Sequence, residues 1–440
     1  MSISATVRVR HELVLAVATA LLVTGCCRAR ISTTESYFAQ ERAGRVNRDV
    51  AETLELLRPF LDAPPGEFHA YGGFPWIAYK YAIAFTSYGL ANVAVIEPEL
   101  RPQMAGWIDG LIRKMLEERV WGDWRTQGWG RCPLRPYNLM WKGHLNLMYA
   151  LHLFVSGEAT HADAFRRLSA DIAGEMRRTP YGGALCQSIN YYFQCNTVGM
   201  LSLRYHDAFY GTSYTSEIQP RWLAWARDNM LITPGSREKH NEFARTSQAR
   251  SSGAPDLSIW PESAVGCYEA VYHPESTEMG RQLSGYTNGW IATYLNVFDP
   301  PAARALYLES FKPTFVREFG EYAFAEEQPG KGLDGMATLF ALYAAREHGD
   351  RDLMGKILNL LDCATVITYT SVNPELSGSG PVTIDFPSNV PMQGAFLFGK
   401  TNIGIARLLE KAPRRSDPGP EARSRVPDDW RRICPEAEGP

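Results

Sequence analysis

Two cysteines, one histidine and one methionine have the types and spacing of a reactive site. Cys186 and Cys195 stand nine positions apart in Cys-Gln-Ser-Ile-Asn-Tyr-Tyr-Phe-Gln-Cys, and Met140-Trp-Lys-Gly-His144 precedes them by roughly forty residues. A thiol can donate or accept a proton or attack carbon, and an imidazole can relay protons. The same residues are also compatible with a disulfide beside a core histidine, because a separation of this length is easily closed across a turn.

The N-terminus has the composition of an export signal. Arg8 and Arg10 precede an apolar run over residues 13–23, and Cys26 follows small residues. The run is too short for an ordinary membrane-spanning helix, and a cysteine after small residues is typical of a bacterial lipoprotein signal. We therefore predict a signal peptide over residues 1–25, a lipid anchor on Cys26 and an exported protein at the outer membrane or in the periplasm. Simple secretion with an unmodified Cys26 is the alternative.

The composition indicates a large folded protein. The chain has 45 Lys+Arg against 48 Asp+Glu, 45% hydrophobic residues and 12% aromatic residues. The near balance of charge gives no electrostatic case for a nucleic-acid partner, and the aromatic content suggests a lined cavity as well as a core. No His-Glu-x-x-His or Cys-x-x-Cys motif and no glycine-rich phosphate loop is present, so neither a metal nor a nucleotide cofactor is predicted.

Helical periodicity recurs along the chain, whereas strand alternation is scarce. Apolar residues at helical spacing predict helices over residues 46–61, 79–95, 103–119, 139–156, 160–178, 191–210, 218–230, 286–297, 302–319, 334–348, 351–361 and 392–409. Twelve helices make six hairpins, and no single hairpin can bury its apolar face. The all-α fold predicted for residues 46–411 is therefore a closed ring of six hairpins, the (α/α)6 barrel. An open α-solenoid is the alternative, and the lack of a repeat at a fixed period counts against it.

Three segments fall outside this plan. Residues 26–45 are predicted to be an N-terminal linker. Residues 233–261 are polar and rich in helix breakers, which predicts a long inserted loop. Residues 412–440 combine proline with both kinds of charge, which predicts a disordered tail.

Several segments in a fixed order resemble a known enzyme family. They are residues 33–40, 80–85, 88–91, Arg119-Val-Trp-Gly-Asp-Trp124, Lys142-Gly-His-Leu-Asn-Leu-Met-Tyr149, 186–196, Tyr272-His-Pro-Glu-Ser276 and Ser284-Gly-Tyr-Thr287. Together they resemble linalool dehydratase/isomerase from Thr33 to about Leu409. The resemblance implies an (α/α)6 barrel and a cofactor-free lyase and isomerase that acts on a small hydrophobic alcohol or its alkene. Members of the family assemble as rings of subunits, so a homo-oligomer is one option for this chain.

The resemblance also implies which residues form the site. In the family, two cysteines, a histidine, a methionine, an acid and tyrosines meet in an apolar cavity. Matched residue by residue, they fall on Cys186, Cys195, His144, Met140, Glu55, Tyr81 and Tyr286. The family tyrosine that follows the acid is replaced here by Leu61, and a further cysteine pair is replaced by the prolines at 64 and 65 and by Glu117. These departures bear on the substrate more than on the reaction class.

Residues of these types suit the elimination of water from an alcohol. The reaction requires protonation of the leaving hydroxyl and removal of a proton from the neighbouring carbon. Glu55 in an apolar cavity would have a raised pKa and act as the acid, while His144, with a pKa near neutrality, would relay protons. Tyr286 would hydrogen-bond the hydroxyl or water. The remaining predicted roles are a thiol pair for acid-base chemistry, formed by Cys186 and Cys195, and substrate contacts from Tyr81, Met140 and Tyr192.

Two other functions fit the same sequence. A glycoside hydrolase or lyase on the same barrel would use paired carboxylates, for which Asp123, Glu55 and Glu275 are the candidates. A non-catalytic lipid- or terpene-binding lipoprotein would keep the apolar cavity but would need neither the thiol pair nor His144. The surroundings of the thiols and of the carboxyl groups distinguish these hypotheses.

Overall fold

The structure is a computed structural model. It describes residues 32–67, 76–126, 128, 130–134, 136–186, 189–250, 259–363, 366–369, 382–385, 390–415 and 428–434. The predicted signal peptide and Cys26 lie outside these residues, so the signal peptide and the lipid anchor stay predictions. Within the described residues, no helix has the length and apolar character that crossing a bilayer requires.

The described chain is mostly α-helical, which confirms the predicted all-α class. The helices are α1 Thr34–Ala43, α2 Arg48–Asp62, α3 Trp76–Ile96, α4 Arg101–Met115, α5 Glu118–Trp121, α6 Asp123–Thr126, α7 Leu139–Ser156, α8 Ala162–Arg178, α9 Phe193–Tyr210, α10 Tyr214–Asn229, α11 Pro234–Arg250, α12 Gly285–Tyr294, α13 Pro300–Ala305, α14 Lys312–Phe315, α15 Gly335–Glu347, α16 Arg351–Cys363, α17 Val390–Thr401, α18 Ile405–Glu410 and α19 Asp428–Ile433. Short 3-10 turns cover Pro98–Leu100, Glu262–Ala264 and Leu295–Val297, and a π-helical turn covers Leu306–Phe311.

The strands are short and form three antiparallel pairs. They are β1 Tyr272–His273 with β2 Glu278–Met279, β3 Val316–Phe319 with β4 Tyr322–Ala325, and β5 Val366–Tyr369 with β6 Val382–Asp385. In each pair the two strands follow each other in sequence, and within the described residues none of the pairs joins a larger sheet.

Six helices lie at the centre of the packing. α3 packs against α7, α7 against α9, α9 against α12, α12 against α15, α15 against α17, and α17 against α3. Every residue of α7 from Leu139 to Val155 is buried, as expected for a helix that is apolar on all sides. By contrast, α8 buries one face against α7 and α9 and exposes the other. Three further helices pack against members of this set: α4 against α3 and α7, α16 against α15, and α2 against α17.

Two glycines allow α7 and α9 to cross at close range. A Cβ atom on Gly143 would lie 3.3 Å from the backbone nitrogen of Gly199. Any larger side chain would push the two helices apart. The close crossing brings the first turns of α7, with Met140 and His144, next to the start of α9, with Cys195.

The predicted loop over residues 233–261 is wrong in its first part, which forms α11. The backbone nitrogen of Ser236 donates to Thr233 Oγ1 over 3.1 Å, and this contact caps the helix start. Among its described side chains, His240, Asn241 and Ala244 are buried, and Ala244 follows the other two by four and three positions. The helical pattern is faint because two of these three buried residues are polar. Residues 251–258 lie outside the described chain.

Two helices predicted as single units are interrupted. The helix predicted over 302–319 ends at Phe315, and β3 follows it directly. The helix predicted over 392–409 is divided into α17 and α18 because Gly404 adopts a φ of 103°, a conformation that favours glycine.

The predicted linker over residues 26–45 contains the packed helix α1. Tyr37 is 2% exposed, and its carbonyl accepts a hydrogen bond from Arg346 Nη2 over 3.0 Å. Gln40 Nε2 donates to the carbonyl of Lys400 over 3.0 Å. From Ser32 onward, this segment is therefore part of the folded body.

The predicted tail over residues 412–440 is also partly ordered. Trp430 on α19 is buried, and its indole nitrogen donates to Tyr149 Oη over 3.2 Å. Cys434 forms a disulfide with Cys132, across a sequence separation of 302 residues. The prediction of disorder is wrong for residues 428–434 because these two contacts fasten α19 to the helical body.

Removal of this disulfide is expected to destabilise the protein. The double variant Cys132→Ser/Cys434→Ser should unfold about 2–5 kcal/mol more easily, because the unfolded chain regains the entropy that a closed loop denies it. Chemical denaturation followed by tryptophan fluorescence measures the change. Reduction should shift the wild-type midpoint in the same direction and leave the double variant where it is. Equal midpoints for oxidised wild type and the double variant would contradict a stabilising role.

Candidate active site

Cys186 and Cys195 are unbonded neighbours in the protein interior. Their sulfur atoms lie 3.5 Å apart, and both cysteines are free. Cys186 is 0% exposed and Cys195 is 4% exposed. The sequence left open a disulfide or a pair of free thiols, and the structure has the buried dithiol.

The loop that carries the thiols is held by a side-chain clamp. Asn196 Oδ1 accepts from the backbone nitrogen of Ala184 over 2.8 Å, and Asn196 Nδ2 donates to the carbonyl of Ala184 over 3.1 Å. A Cβ atom on Gly183 would lie 2.6 Å from Asn196 Oδ1, so the clamp requires glycine there. Tyr191 and Tyr272 exchange two backbone hydrogen bonds of 2.9 Å, which tie the loop to β1.

Met140, Tyr81 and Tyr286 extend the thiol pair into a chain of polar contacts. The backbone nitrogen of Met140 donates to Cys186 Sγ over 3.2 Å, and Tyr81 Oη donates to Met140 Sδ over 3.0 Å. The hydroxyl oxygens of Tyr81 and Tyr286 lie 3.3 Å apart. Since a thioether only accepts, the proton of Tyr81 is directed to Met140, and Tyr286 is the donor in the tyrosine pair.

His144 lies inside a cage of aromatic rings. Its ring centroid is 5.5 Å from that of Tyr81, 5.4 Å from that of Phe85 and 5.4 Å from that of Trp290. Burial lowers the pKa of His144 to about 3, so the imidazole is neutral at physiological pH. The predicted pKa near neutrality is wrong, because the apolar cage disfavours the charged form.

The hydrogen bond of Tyr88 selects the tautomer of His144. Tyr88 Oη and His144 Nδ1 lie 2.6 Å apart. Burial raises the pKa of Tyr88 well above its ordinary value, so the phenol keeps its proton and donates it to Nδ1. The imidazole proton then resides on Nε2, a buried atom without a hydrogen-bond partner among the described residues. His144 thus offers an unused N–H donor in an apolar interior.

The two thiols have different surroundings. The hydrogen bond with Cys186 raises the pKa of Cys195 well above its ordinary value, and burial raises it further. Cys186 Sγ instead accepts from Met140 N, in the first turn of α7. A helix N-terminus stabilises negative charge, so a single negative charge in the pair is best placed on Cys186.

Glu55 does not enter this interior in the single chain. Its side chain is 67% exposed and pairs with Arg58 over 2.5 Å. The hydrogen bond from Arg58 lowers the pKa of Glu55. α2 turns Leu54, Leu57 and Leu61 inward, and residue 55 follows on the solvent side of the same helix. The prediction of a buried, protonated acid at this position is therefore wrong for the single chain.

Tyr192 stands at the N-cap position of α9 and is partly buried. Its carbonyl accepts a hydrogen bond from Asn196 Nδ2 over 2.9 Å. These contacts place it on the loop of the thiols, and its role in substrate binding stays a prediction.

A buried carboxyl that sequence reasoning missed lies beside Tyr286. Glu327 is 7% exposed, and its Oε2 accepts from the backbone nitrogen of Tyr286 over 2.9 Å. Burial raises the pKa of Glu327 well above its ordinary value, and the charge of Asp334 raises it further. In the sequence, Glu327 follows another glutamate after β4, which is a pattern typical of a solvated turn. This carboxyl holds the start of α12 and so positions Tyr286.

Two of the three carboxyl groups named for a glycoside hydrolase lie on the surface of the described chain. Glu55 is exposed on α2, and Glu275 is exposed in the turn between β1 and β2. The side chain of Asp123 lies outside the described part of the chain. Glu55 and Glu275, the two of these carboxyl groups whose side chains are described, therefore give no support for a glycoside hydrolase.

Glu269, close to the strand that pairs with the thiol loop, is expected to make stability depend on pH. Burial raises the pKa of Glu269 from 4.5 to about 7. Because the folded-state pKa is the higher one, this contribution to stability is complete below the unfolded-state pKa and is lost as pH rises through about 7. Glutamine stays neutral at every pH, so the free energy of unfolding of Glu269→Gln should not show this fall. At pH 8 the difference from wild type should reach up to about 3 kcal/mol.

Denaturation of wild type and Glu269→Gln between pH 4 and pH 8 measures this difference. Glu275→Gln, at an exposed glutamate of the same region, is the matched control and should follow the wild-type curve. Parallel curves for wild type and Glu269→Gln would show that this carboxyl has an ordinary pKa in the folded protein.

The structure is thus that of a helical protein whose aromatic interior holds a dithiol, a neutral imidazole and a tyrosine pair. A family model described as linalool dehydratase/isomerase matches residues 80–166 and 153–372, which is more than half of the chain. The protein therefore belongs to the linalool dehydratase/isomerase family. The match includes Tyr81, Met140, His144, Cys186, Cys195 and Tyr286. It begins after Glu55, the one predicted catalytic residue that the structure separates from the others.

Proposed function

We propose that this protein is a cofactor-free dehydratase and isomerase of a small tertiary or allylic alcohol of the terpenoid kind. Family membership supports a dehydratase and isomerase. The observation that carries the proposal is the free thiol pair, with sulfurs 3.5 Å apart, in the same aromatic interior as a neutral histidine. An apolar alcohol suits such a site because aromatic faces exclude water and stabilise a developing allylic cation.

The thiol pair supplies both proton transfers. Cys186, as the thiolate, removes a proton from the carbon beside the departing hydroxyl, and Cys195 gives its proton to that oxygen. The C–O bond breaks, a C=C bond forms, and water leaves. A proton shift between the two sulfurs, 3.5 Å apart, then restores the starting state. Isomerisation follows when water returns to the other end of the allylic system.

His144 and Tyr286 stabilise the departing oxygen. The Nε2 proton of His144 has no hydrogen-bond partner among the described residues, so the substrate hydroxyl can become its first acceptor. Tyr286, which donates to Tyr81 in the structure, turns its hydroxyl proton to the same oxygen as a second donor when the substrate binds. Preorganised donors in a dry interior stabilise negative charge at that oxygen more strongly than water does.

We further propose that the helices form an (α/α)6 barrel over residues 46–411, anchored outside the cytoplasm through Cys26. The cyclic packing of α3, α7, α9, α12, α15 and α17 supports the barrel. The disulfide between Cys132 and Cys434 supports export, because disulfides persist in oxidising compartments. A homo-oligomer is proposed by analogy with the family alone. Mass spectrometry of the mature N-terminus tests the lipid anchor on Cys26. Light scattering tests the homo-oligomer.

The function is tested with the leaderless protein under reducing conditions. Linalool, geraniol and shorter alkenols are supplied separately, and alkene is measured by gas chromatography. At least one of them should yield alkene in amounts far above a sample without protein. Alkene from none of them would overturn this substrate class. Retention of an alcohol without conversion would favour the carrier instead.

A further inference from the structure

A second cluster of reactive side chains lies away from the thiols. Asp109 on α4, His152 on α7 and His161, next to α8, each offer one ligand atom within 4.8 Å of the other two. His161 Nε2 and Asp109 Oδ1 lie 2.8 Å apart, and the ring centroids of His152 and His161 lie 4.9 Å apart. The three side chains come from three helical segments, so the packing of α4, α7 and α8 creates the cluster.

His152 has a polar atom that nothing in the described chain satisfies. The residue is 4% exposed, and its buried Nδ1 has no hydrogen-bond partner among the described residues. A buried polar atom of this kind calls for an explanation, such as a water or an ion. Here the atom belongs to a residue that already has an imidazole and a carboxylate within ligand distance.

The surroundings of Asp109 fit a ligand that uses one oxygen. Arg113, one turn further along α4, pairs with Asp109 Oδ2, whereas Oδ1 faces His161. A ligating carboxylate is commonly held by a hydrogen bond to its other oxygen. Arg113 therefore orients the carboxylate and leaves Oδ1 for the cluster.

We propose that Asp109, His152 and His161 bind one divalent transition-metal cation of the zinc class. Two imidazole nitrogens and one carboxylate oxygen match the ligand preference of Zn²⁺, and water can take the fourth position. Mg²⁺ and Ca²⁺ prefer oxygen ligands alone, so they fit poorly. On binding, the metal replaces the hydrogen bond between His161 and Asp109, and any proton on the ligating nitrogens is released to solvent.

The metal would connect helices that also hold the C-terminal segment. His161 packs against Tyr149 with ring centroids 5.3 Å apart, and Tyr149 accepts the hydrogen bond of Trp430 on α19. The cation thus joins α4, α7 and the start of α8 next to the disulfide-linked C-terminus. This role is structural and does not depend on the proposed dehydratase activity.

Metal titration of the full leaderless protein tests the site. After treatment with a chelator, the protein is titrated with Co²⁺, whose visible absorption reports ligand geometry, and with Zn²⁺, followed by thermal unfolding. We expect one equivalent of metal to bind and the unfolding temperature to rise. His152→Gln and Asp109→Asn should weaken binding by at least about 100-fold, since loss of even an outer partner costs about 10–100-fold. His348→Gln, outside the cluster, should bind like wild type.

The buried thiols are the competing metal site, and the same titration separates the two. Co²⁺ bound through Cys186 and Cys195 would give a sulfur-to-cobalt charge-transfer band. This band would vanish in Cys186→Ser but persist in His152→Gln. That pattern, or undiminished binding in both cluster variants, would overturn the proposal. Unfolding of metal-free His152→Gln at the wild-type temperature would show that its loss of binding does not come from misfolding. The proposal would also be overturned if metal-free His152→Gln unfolded at a much lower temperature than wild type and added metal did not raise the unfolding temperature of wild type.

Discussion

Replacement of Cys186 by serine is expected to lower alkene formation by about 10³-fold. Serine keeps the size of the side chain and can still accept the hydrogen bond of Met140, but its hydroxyl does not ionise at neutral pH. The variant therefore loses the base, and removal of a positioned base typically costs about 10²–10⁴-fold. Initial rates measured by gas chromatography under reducing conditions report the loss.

Cys267 provides a matched control for this experiment. It is a third buried free thiol, and burial raises its pKa to about 12. Cys267→Ser should retain the wild-type rate because Cys267 has no part in the proposed reaction. Equal rates for wild type and Cys186→Ser, with intact circular dichroism in both, would remove the thiol pair from the mechanism. The rate of Cys195→Ser should lie between those of wild type and Cys186→Ser, because a hydroxyl can still hydrogen-bond the leaving oxygen.

Loss of the His144 donor is expected to have the second-largest effect. His144→Phe fills the aromatic cage without an N–H group, and removal of one such donor typically costs about 10²–10³-fold in turnover. Tyr88→Phe should have a smaller effect of the same kind, because Nε2 then no longer has to be the protonated nitrogen. Single-turnover measurements separate this effect from substrate binding.

The pH profile tests the charge of His144. With a pKa of about 3, the imidazole is neutral above that value, so it contributes no change in rate between pH 5 and pH 8. His144→Gln should accordingly lower the rate by a similar factor throughout this range. An inflection between pH 6 and pH 7 in wild type that is absent from His144→Gln would show that His144 titrates during the reaction, contrary to this structure.

The acid of the reaction is where sequence and structure diverge most. The resemblance placed a carboxyl at Glu55, which is exposed and paired with Arg58 in the single chain. Glu327 is buried and has a raised pKa, but its hydrogen bond to the site is with the backbone nitrogen of Tyr286. We therefore treat Glu327 as a positioning residue and assign the proton transfers to the thiols.

Much of the fold followed from periodicity, and the exceptions have physical causes. α7 and α9 were predicted within two residues of their ends because continuous apolar spacing persists over their whole length. α11 was missed because its described buried side chains include the polar His240 and Asn241, which weaken the apolar pattern. α19 was missed because its six residues are held by Trp430 and by a disulfide to a cysteine 302 positions away.

The sequence alone was sufficient to group Met140 with His144, because residues four apart share a helix face. The ordered resemblance was sufficient to add Tyr81, Tyr286 and the two cysteines. These inferences depend on residue type and local spacing, which a chain carries before it folds.

Only the tertiary structure decided the state of those residues. The 3.5 Å separation of the thiols, the neutral form of His144 and the exposure of Glu55 all depend on which helices pack together. The same is true of Asp109, His152 and His161, which form no motif along the chain and meet within 4.8 Å in space. Burial and charge are properties of packed neighbours, and most of those neighbours are distant in sequence.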